Sequence, residues 1–242
     1  MKLINRKILL TGGSGALGTE LIPLLESAGA EVIAPSSKEL NVIDLIACVE
    51  YAKEYDIDIA IHAGAWTDVP GAELAKNRHA VTETNIFGCA NFQYAFGKQS
   101  KCVYISTDYV YAGIEGNYSV KSKVNPSTFY GFSKLAGESF FQKTDLIIRT
   151  SFASRDTWGE GKKQLTGAFD DVYTSKDWVD VISRKIVDVI SKNKKGIVNI
   201  GTKRKTIYSL AKEEFPDVKP ISYKDVNLPY DYPVDCSLKS SI

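Results

Sequence analysis

The sequence predicts an α/β protein with a doubly wound parallel sheet, in which crossover helices cover both faces of the strands. Over the first two thirds of the chain, short apolar runs alternate with amphipathic stretches, as is typical of parallel strands joined by crossover helices. Beyond Arg149 this alternation loosens, and the chain from Pro216 onward is rich in Pro, Tyr and Asp. We therefore expect the sheet to come mainly from the N-terminal part and a small lobe from the C-terminal part.

Six apolar runs have the length of strands. They are Lys7–Leu10, Glu31–Ala34, Ile59–His62, Lys101–Ser106, Leu146–Arg149 and Ile197–Ile200. Other stretches carry apolar residues near helical spacing and few helix-breaking residues. These candidate helices are Ala16–Ala28, Asp44–Tyr55, Ala80–Gly97, Phe132–Lys143 and Trp178–Lys192.

Composition and charge exclude several classes of protein. The 242 residues are 44% hydrophobic and 24% charged, which is ordinary for a globular protein. The formal net charge of +1 gives no electrostatic drive toward nucleic acid or an anionic membrane. No apolar run approaches the roughly 20 residues of a bilayer span, and no signal-peptide pattern follows the N-terminus. We expect a cytoplasmic protein, and the scattered Cys and His residues predict no metal site.

A glycine-rich segment follows the first strand and opens the first helix. Here Gly12 permits a tight turn, Gly15 lets the backbone approach a pyrophosphate, and Gly18 permits close packing of helix on sheet. The pattern G-x-G-x-x-G also fits in a second phase, from Gly13. Its position predicts a dinucleotide-binding loop, whose cofactor contacts are Gly12, Ser14, Gly15, Ala16, Leu17 and Gly18.

The segment after the second strand bears on the choice of cofactor. An NAD site expects an acidic residue here, but the chain has Ser36, Ser37 and Lys38, with Glu39 as the first acid. Two hydroxyls and an ammonium suit a 2′-phosphate, so NADPH is favoured over NADH, which stays possible; alternatively, the segment is a solvated loop. Asp44 is either a helix N-cap or a contact to the adenine edge, and Leu45 joins the predicted cofactor contacts.

Tyr130 and Lys134 are four residues apart and so share one face of a helix. A phenol beside an ammonium can donate a proton to a carbonyl oxygen, and the cation, with an oxidised nicotinamide nearby, lowers the pKa of the phenol. Thr107 lies at the carboxyl end of a core strand, where ligands bind in open α/β sheets. Its hydroxyl can give the same oxygen a second hydrogen bond.

These motifs together resemble those of extended short-chain dehydrogenases/reductases, and within them dTDP-4-dehydrorhamnose reductase and related nucleotide-sugar 4-reductases. The matching segments are Thr11–Gly18, Ile61–Val69, Asn85–Gly88, Ser106–Tyr111, Tyr130–Glu138 and Arg149–Phe152, with weaker similarity in 172–181 and 199–211. The pattern Ser-Thr-Asp-Tyr-Val, followed at the family's spacing by Tyr-Gly-x-Ser-Lys, is its most specific part.

The resemblance implies roles for individual residues. It implies that Thr107, Tyr130 and Lys134 form the catalytic triad, with Tyr130 and Lys134 also contacting the cofactor. It places Ala63, Gly64, Ala65 and Asn85 at the cofactor site. The implied substrate contacts are Thr67, Val69, Asp108, Tyr109 and Phe152, of which the last falls where these reductases often have Trp. The expected domains are a Rossmann domain over 1–151 and a reduced substrate lobe over 152–242, interleaved with the last Rossmann elements at about 172–201.

The resemblance implies NADPH-dependent reduction of the 4-keto group of a nucleotide-linked 4-keto-6-deoxyhexose, of the dTDP- or UDP-4-dehydrorhamnose type, in deoxysugar biosynthesis. A nucleotide-sugar substrate and a possible homodimer are the implied partners. Two alternatives stay open. One is a bifunctional 3,5-epimerase/4-reductase, and the other is a non-catalytic NADP-binding regulatory subunit of the methionine adenosyltransferase β type. The sequence leaves open the nucleotide carrier, the substituent at C2 and the stereochemistry at C4.

Overall fold

A parallel sheet forms the centre of the computed structural model, which describes residues 3–158, 165–227 and 230–242. The strands in chain order are β1 (Lys7–Thr11), β2 (Glu31–Ile33), β3 (Ile59–His62), β4 (Lys101–Thr107), β5 (Leu146–Thr150), β6 (Phe152–Ala153), β7 (Gly167–Phe169), β8 (Tyr173–Thr174), β9 (Asp177–Trp178), β10 (Gly196–Ile200), β11 (Lys205–Thr206) and β12 (Lys219–Ile221). The central sheet has the spatial order β10-β5-β4-β3-β1-β2, and its strand pairs are all parallel.

Helices connect these strands and cover the sheet. They are α1 (Ala16–Ser27), α2 (Leu45–Glu54), α3 (Val69–Glu73), α4 (Arg78–Thr82), α5 (Gly88–Phe96), α6 (Phe129–Glu138), α7 (Arg155–Trp158), α8 (Val179–Ser191) and α9 (Ile207–Glu214). A π-helical turn over Glu83–Phe87 joins α4 to α5, so the stretch predicted as one helix over Ala80–Gly97 is continuous but irregular.

Two apolar layers lie on the two faces of the sheet. On one face, Leu21 of α1 and Ile186 of α8 pack with the strand residues Leu10 and Ile148. On the other face, Cys48 of α2 and Phe92 of α5 belong to a second buried cluster with Tyr104 of β4. The doubly wound α/β fold class is confirmed.

The predicted strands are observed to within one residue at each end, but one helix is displaced. The helix expected over Phe132–Lys143 is α6, which begins at Phe129 and ends at Glu138. Two acceptors cause this early start. The hydroxyl of Thr128 accepts from the N–H of Gly131 at 3.0 Å, and the carboxylate of Glu73 accepts from the N–H of Phe129 at 2.7 Å.

The C-terminal part contributes both to the sheet and to small strand pairs beside it. Strand β10 pairs with β5 at one edge of the sheet. The pairs β6 with β9, β7 with β12 and β8 with β11 lie outside it. Among the described residues, no helix is long and apolar enough to span a bilayer.

Candidate active site

A cleft of about 460 Å³ opens at the carboxyl edge of the sheet. This is the edge at which ligands bind in open α/β folds. The cleft brings together predicted residues from the glycine loop, from the segment after β3, from β4 and from α6. The predicted residues that line it are Gly12, Ser14, Gly15, Ala16, Leu17, Ala63, Gly64, Ala65, Thr67, Val69, Thr107, Asp108, Tyr109, Tyr130, Lys134 and Phe152.

The glycine loop, Thr11–Gly18, requires glycine for two separate reasons. Gly12 has φ +77°, and a Cβ there would lie 2.7 Å from the backbone nitrogen of Gly64. A Cβ on Gly18 would lie 2.3 Å from the carbonyl oxygen of Gly12. Gly15 is the N-cap of α1 and supplies no side-chain acceptor to its first N–H groups. An uncapped helix N-terminus lining a cleft is suited to a pyrophosphate, so these residues fit a dinucleotide cofactor.

The loop after β2 contains an internal side-chain contact that was not predicted from its sequence. Gly13 packs close to Ala34, so this loop lies beside the glycine loop. Glu39 folds back, and one of its carboxylate oxygens accepts from both the N–H and the hydroxyl of Ser36, each at 2.8 Å. The backbone N–H of Ser36 is the main cause of a lowered pKa of Glu39. Ser36 is therefore already engaged by a carboxylate, while Lys38 lies exposed nearby.

Thr107, Tyr130 and Lys134 all line the cleft, where β4 and α6 place them. Thr107 is the last residue of β4, and its hydroxyl accepts from the N–H of Tyr109 at 3.2 Å and donates to Asp108 at 3.1 Å. Tyr130 lies in the first turn of α6 and meets the ring of Tyr109 edge-on, with centroids 6.1 Å apart. Lys134 follows one turn later, and its Nζ lies 4.3 Å from the centroid of the Tyr104 ring.

Burial dominates the proton affinities of this pair. It raises the pKa of Tyr130 to about 12, against an opposing effect of the Thr107 hydroxyl. It also lowers the pKa of Lys134 to about 8, and Cys89 and Glu138 oppose this change. Lys134 is not among the groups that shift the pKa of Tyr130, for which desolvation is the largest cause. The phenol is consequently protonated at neutral pH, as a proton donor must be.

Asp108 is a buried carboxyl group in the cleft, with 1% of its surface exposed. Burial raises its pKa to about 6, while the positive charge of Lys176 and hydrogen bonds with Thr107 and Ser151 act in the opposite direction. At neutral pH the group is largely ionised and can accept hydrogen bonds from a hydroxylated ligand.

A buried ion pair joins α6 to the central strands. Arg149 on β5 donates from two nitrogens to the carboxylate of Glu138, at 2.9 and 2.7 Å. The hydroxyl of Ser106 on β4 donates to the same carboxylate at 2.5 Å. Because Glu138 belongs to α6, this network holds the helix that carries Tyr130 and Lys134 against β4 and β5.

Asn85 lies outside the lining of the cleft, and its side chain holds the backbone of Trp66. Its side chain accepts from the N–H of Trp66 at 2.8 Å and donates to the carbonyl of Trp66 and the hydroxyl of Ser133. It thus fixes the segment after β3 against α6. These hydrogen bonds give Asn85 a bracing role.

Several other predicted residues also lie outside the lining. The side chain of Asp44 accepts from the N–H of Ala47 at 3.0 Å, so it caps α2. The neighbouring Leu45 is 41% exposed. The predicted cofactor residues that do not line the cleft are Gly18, Ser36, Ser37, Lys38, Asp44, Leu45 and Asn85.

The cleft also contains residues that had not been predicted as site residues. They are Ile105, Ser106, Thr150, Ser151 and Lys176. Thr150 and Ser151 stand at the carboxyl end of β5, and the rule that ligands bind at this edge could have identified them. Lys176 offers no such signal, since a lysine before an aspartate is a common surface pattern.

The parallel α/β fold and the Tyr130/Lys134 pair in this cleft are typical of extended short-chain dehydrogenases/reductases. The sequence profile of one family, described as the RmlD substrate binding domain, matches residues 6–188. The chain belongs to this family, and the predicted resemblance is confirmed.

Two curated relatives and a solved structure show how far the similarity extends. A spore coat polysaccharide biosynthesis protein of Bacillus subtilis is 32% identical over 74% of this chain and 63% of its own length. The dTDP-4-dehydrorhamnose reductase of Streptomyces griseus is 33% identical over 60% of this chain and 49% of its own length. The chain thus spans about half to three fifths of these relatives.

The structure of a dTDP-4-dehydrorhamnose reductase from Bacillus anthracis, in complex with NADP, superimposes with a TM-score of 0.87. The match covers 98% of this chain and 92% of that one at 24% identity. At this identity the likeness shows a shared fold.

Proposed function

We propose that the protein reduces the 4-keto group of a nucleotide-linked 4-keto-6-deoxyhexose with NADPH. The observation that carries this proposal is the convergence of Thr107, Tyr130 and Lys134 on one cleft with an uncapped glycine loop. A relative 33% identical is a dTDP-4-dehydrorhamnose reductase, and a structural neighbour of the same name was solved with NADP. Both names support this substrate class, and the NADP complex of the neighbour supports the cofactor.

The glycine loop and the segment Ala63–Ala65 hold the cofactor in this proposal. The first N–H groups of α1 bind its pyrophosphate. The ammonium of Lys134, a residue that lines the cleft, binds the hydroxyls of the nicotinamide ribose. When bound, the cofactor supplies the hydride that reduces the carbonyl carbon.

Tyr130 and Thr107 act on the oxygen of the substrate carbonyl. The protonated phenol of Tyr130 donates its proton to this oxygen as charge develops on it. The hydroxyl of Thr107 donates a second hydrogen bond, for which it must turn away from Asp108. The ion pair between Arg149 and Glu138 keeps α6 in place, so the phenol stays positioned at the end of β4.

The proposed sugar contacts are Thr67, Val69, Asp108, Tyr109 and Phe152, which line the same cleft. The ionised carboxylate of Asp108 accepts from a sugar hydroxyl. We further propose that residues 152–242 form the substrate lobe, with the elements at about 172–201 completing the Rossmann domain of residues 1–151. A dTDP carrier is the first candidate, because dTDP occurs in the names of the relative and the structural neighbour above.

A panel of dTDP- and UDP-linked 4-keto-6-deoxyhexoses tests the proposal. Loss of NADPH absorbance that depends on the sugar, with product NMR showing a hydroxyl at C4, is the expected result. Running the reaction in D₂O separates a simple reductase from one that also epimerises, because only epimerisation incorporates deuterium at C3 and C5. If the protein binds NADPH and the sugar nucleotide but oxidises no NADPH with any of them, a regulatory binding role replaces the catalytic one.

A further inference from the structure

Lys176 is a cation of the cleft to which the mechanism above gives no role. It lies between β8 and β9, is half-buried, and lines the cleft together with Asp108 and Phe152. Its position is set by the backbone. The N–H of Lys176 donates to the hydroxyl of Thr174 at 2.9 Å, and the next residue, Asp177, pairs with Phe152 in a parallel bridge.

The ammonium of Lys176 has no hydrogen-bond acceptor or carboxylate partner among the described residues of the chain. Two other cationic side chains do have carboxylate partners: Lys205 pairs with Asp177 at 2.9 Å, and Arg204 pairs with Asp235 at 2.8 Å. The charge of Lys176 lowers the pKa of Asp108, but the hydrogen bonds of the Asp108 carboxyl go to the hydroxyls of Thr107 and Ser151 and not to the ammonium. Holding a partly desolvated charge without a partner costs free energy, which an anionic ligand offsets.

We infer that Lys176 binds a phosphate of the nucleotide-sugar diphosphate and is a specificity-determining residue of the substrate site. This inference rests on the proposed function, in which the substrate brings a diphosphate into the cleft. A planar guanidinium is not needed for this contact, because an ammonium recognises phosphate as a point charge.

The cofactor also carries phosphates, but the sheet order separates the two sources. The glycine loop follows β1, whereas Phe152 and its partner segment around Lys176 follow β5. Strands β3 and β4 lie between β1 and β5. The cofactor pyrophosphate therefore belongs at the N-terminus of α1, and Lys176 stands on the side proposed for the sugar nucleotide.

Binding measurements on purified full-length protein test this assignment. The variants are Lys176→Gln, Lys176→Arg and the control Lys203→Gln, which removes an exposed charge from the loop between β10 and β11. The probes are dTDP, UDP, thymidine, uridine and NADPH, titrated by calorimetry. We expect Lys176→Gln to weaken binding of the preferred nucleoside diphosphate roughly tenfold, the minimum worth of one charge-assisted hydrogen bond.

Binding of NADPH and of the matching nucleoside should stay unchanged in Lys176→Gln, because neither places a phosphate beside this residue. Lys176→Arg should keep most of the diphosphate affinity, and Lys203→Gln should keep all of it. Thermal unfolding of each variant checks that the fold is intact, and Lys176→Met repeats the removal of the charge should Lys176→Gln prove unstable.

Three outcomes overturn the inference. They are an unchanged diphosphate affinity in Lys176→Gln, an equal loss of NADPH affinity, and a loss in Lys176→Arg as large as in Lys176→Gln. These results differ from a failure of the proposed function. If the wild-type protein binds neither dTDP nor UDP, the substrate class itself is wrong, whereas equal binding by wild type and Lys176→Gln removes only the role of Lys176.

Discussion

The two sides of the cleft are built in different ways. On the β1 side, the glycine loop forms one continuous segment, and its shape depends on backbone approach, as at Gly12 and Gly18. On the β5 side, Phe152 and Lys176 come from separate segments, which the two-residue strand pair of β6 with β9 brings together. The site residues of the β1 side can therefore be predicted from a short sequence motif. The site residues of the β5 side become neighbours only when the chain folds, so no single motif predicts them.

Removing the proton donor should have the largest effect and should leave the β1 side untouched. Tyr130→Phe deletes one oxygen, so we expect kcat for the 4-keto sugar to fall about 10²–10⁴-fold, the usual contribution of general acid catalysis. The affinity for NADPH should stay at the wild-type value in calorimetry. Tyr94→Phe is the matched control, because this tyrosine is 62% exposed on α5. A wild-type kcat in Tyr130→Phe would contradict the assigned proton donor.

A glycine substitution should damage the β1 side selectively. Gly12 and Gly196 both have positive φ, +77° and +73°. Among the two, only Gly12 would bring a Cβ against backbone atoms, since no atom of the described residues lies within 4 Å of a Cβ at Gly196. Alanine at Gly196 should lower the free energy of unfolding by about 1–2 kcal/mol through backbone strain, and alanine at Gly12 should lower it further because of the backbone contact. Only Gly12→Ala should also weaken NADPH binding, by tenfold or more, because it displaces the loop. Equal NADPH affinities in the two variants would show that the close approach to Gly64 is not needed for binding.

The contrast between the two sides also explains what could be predicted from the sequence. The strands were predicted within one residue because each is an apolar run in an alternating pattern. The start of α6 was not, since one of its two caps is Glu73, 56 residues earlier in the chain. A contact at that separation leaves no local signal.

The same reasoning applies to the site. Thr107 and Tyr130 were predicted from motifs and line the cleft. Lys176 was missed because its partner segment, Phe152–Ala153, is 24 residues away and the pairing involves only two residues on each strand. The hydrogen bond from Ser36 to Glu39 was also not predicted, although side chains in the spacing Ser-x-x-Glu commonly interact.

The lowered pKa of Lys134 predicts opposite pH trends for binding and stability. Burial moves the pKa of Lys134 from its ordinary value of 10.5 to about 8, so the folded protein loses this proton first as the pH rises. Between pH 8 and 10.5 the unfolded chain binds more protons, and the contribution of Lys134 to the free energy of unfolding should increase with pH. NADPH binding should weaken by up to tenfold per pH unit above pH 8, because the ammonium is lost.

Lys134→Arg provides the control for this prediction, since a guanidinium stays charged throughout the range. The difference in NADPH affinity between wild type and Lys134→Arg should thus change steadily above pH 8. Denaturant unfolding of both proteins at the same pH values isolates the stability contribution. Parallel pH profiles for the two proteins would show that Lys134 does not titrate in this range.

The smallest expected effect on binding concerns the loop after β2, where the structure shows a contact between Glu39 and Ser36 that was not predicted. The carboxylate of Glu39 lies on Ser36, in the loop that is proposed to receive the 2′-phosphate of NADPH, and its lowered pKa keeps it ionised. A negative charge there opposes a phosphate and tolerates a ribose hydroxyl. Glu39→Gln removes the charge and keeps an oxygen that can accept from Ser36. We therefore expect NADPH to bind about three- to fivefold more tightly and NADH to be unaffected.

Because the site is exposed, this gain should fade as salt screens the charge, so calorimetry at low salt and at about 1 M salt provides an internal check. Glu26→Gln, an exposed acid at the far end of α1, should change neither affinity. Ser36→Asp adds a second negative charge and should act in the opposite direction, weakening NADPH relative to NADH. If neither Glu39→Gln nor Ser36→Asp alters the ratio of the two affinities, the loop after β2 does not contact the ribose. In that case the 2′-phosphate must be read by groups elsewhere on the β1 side.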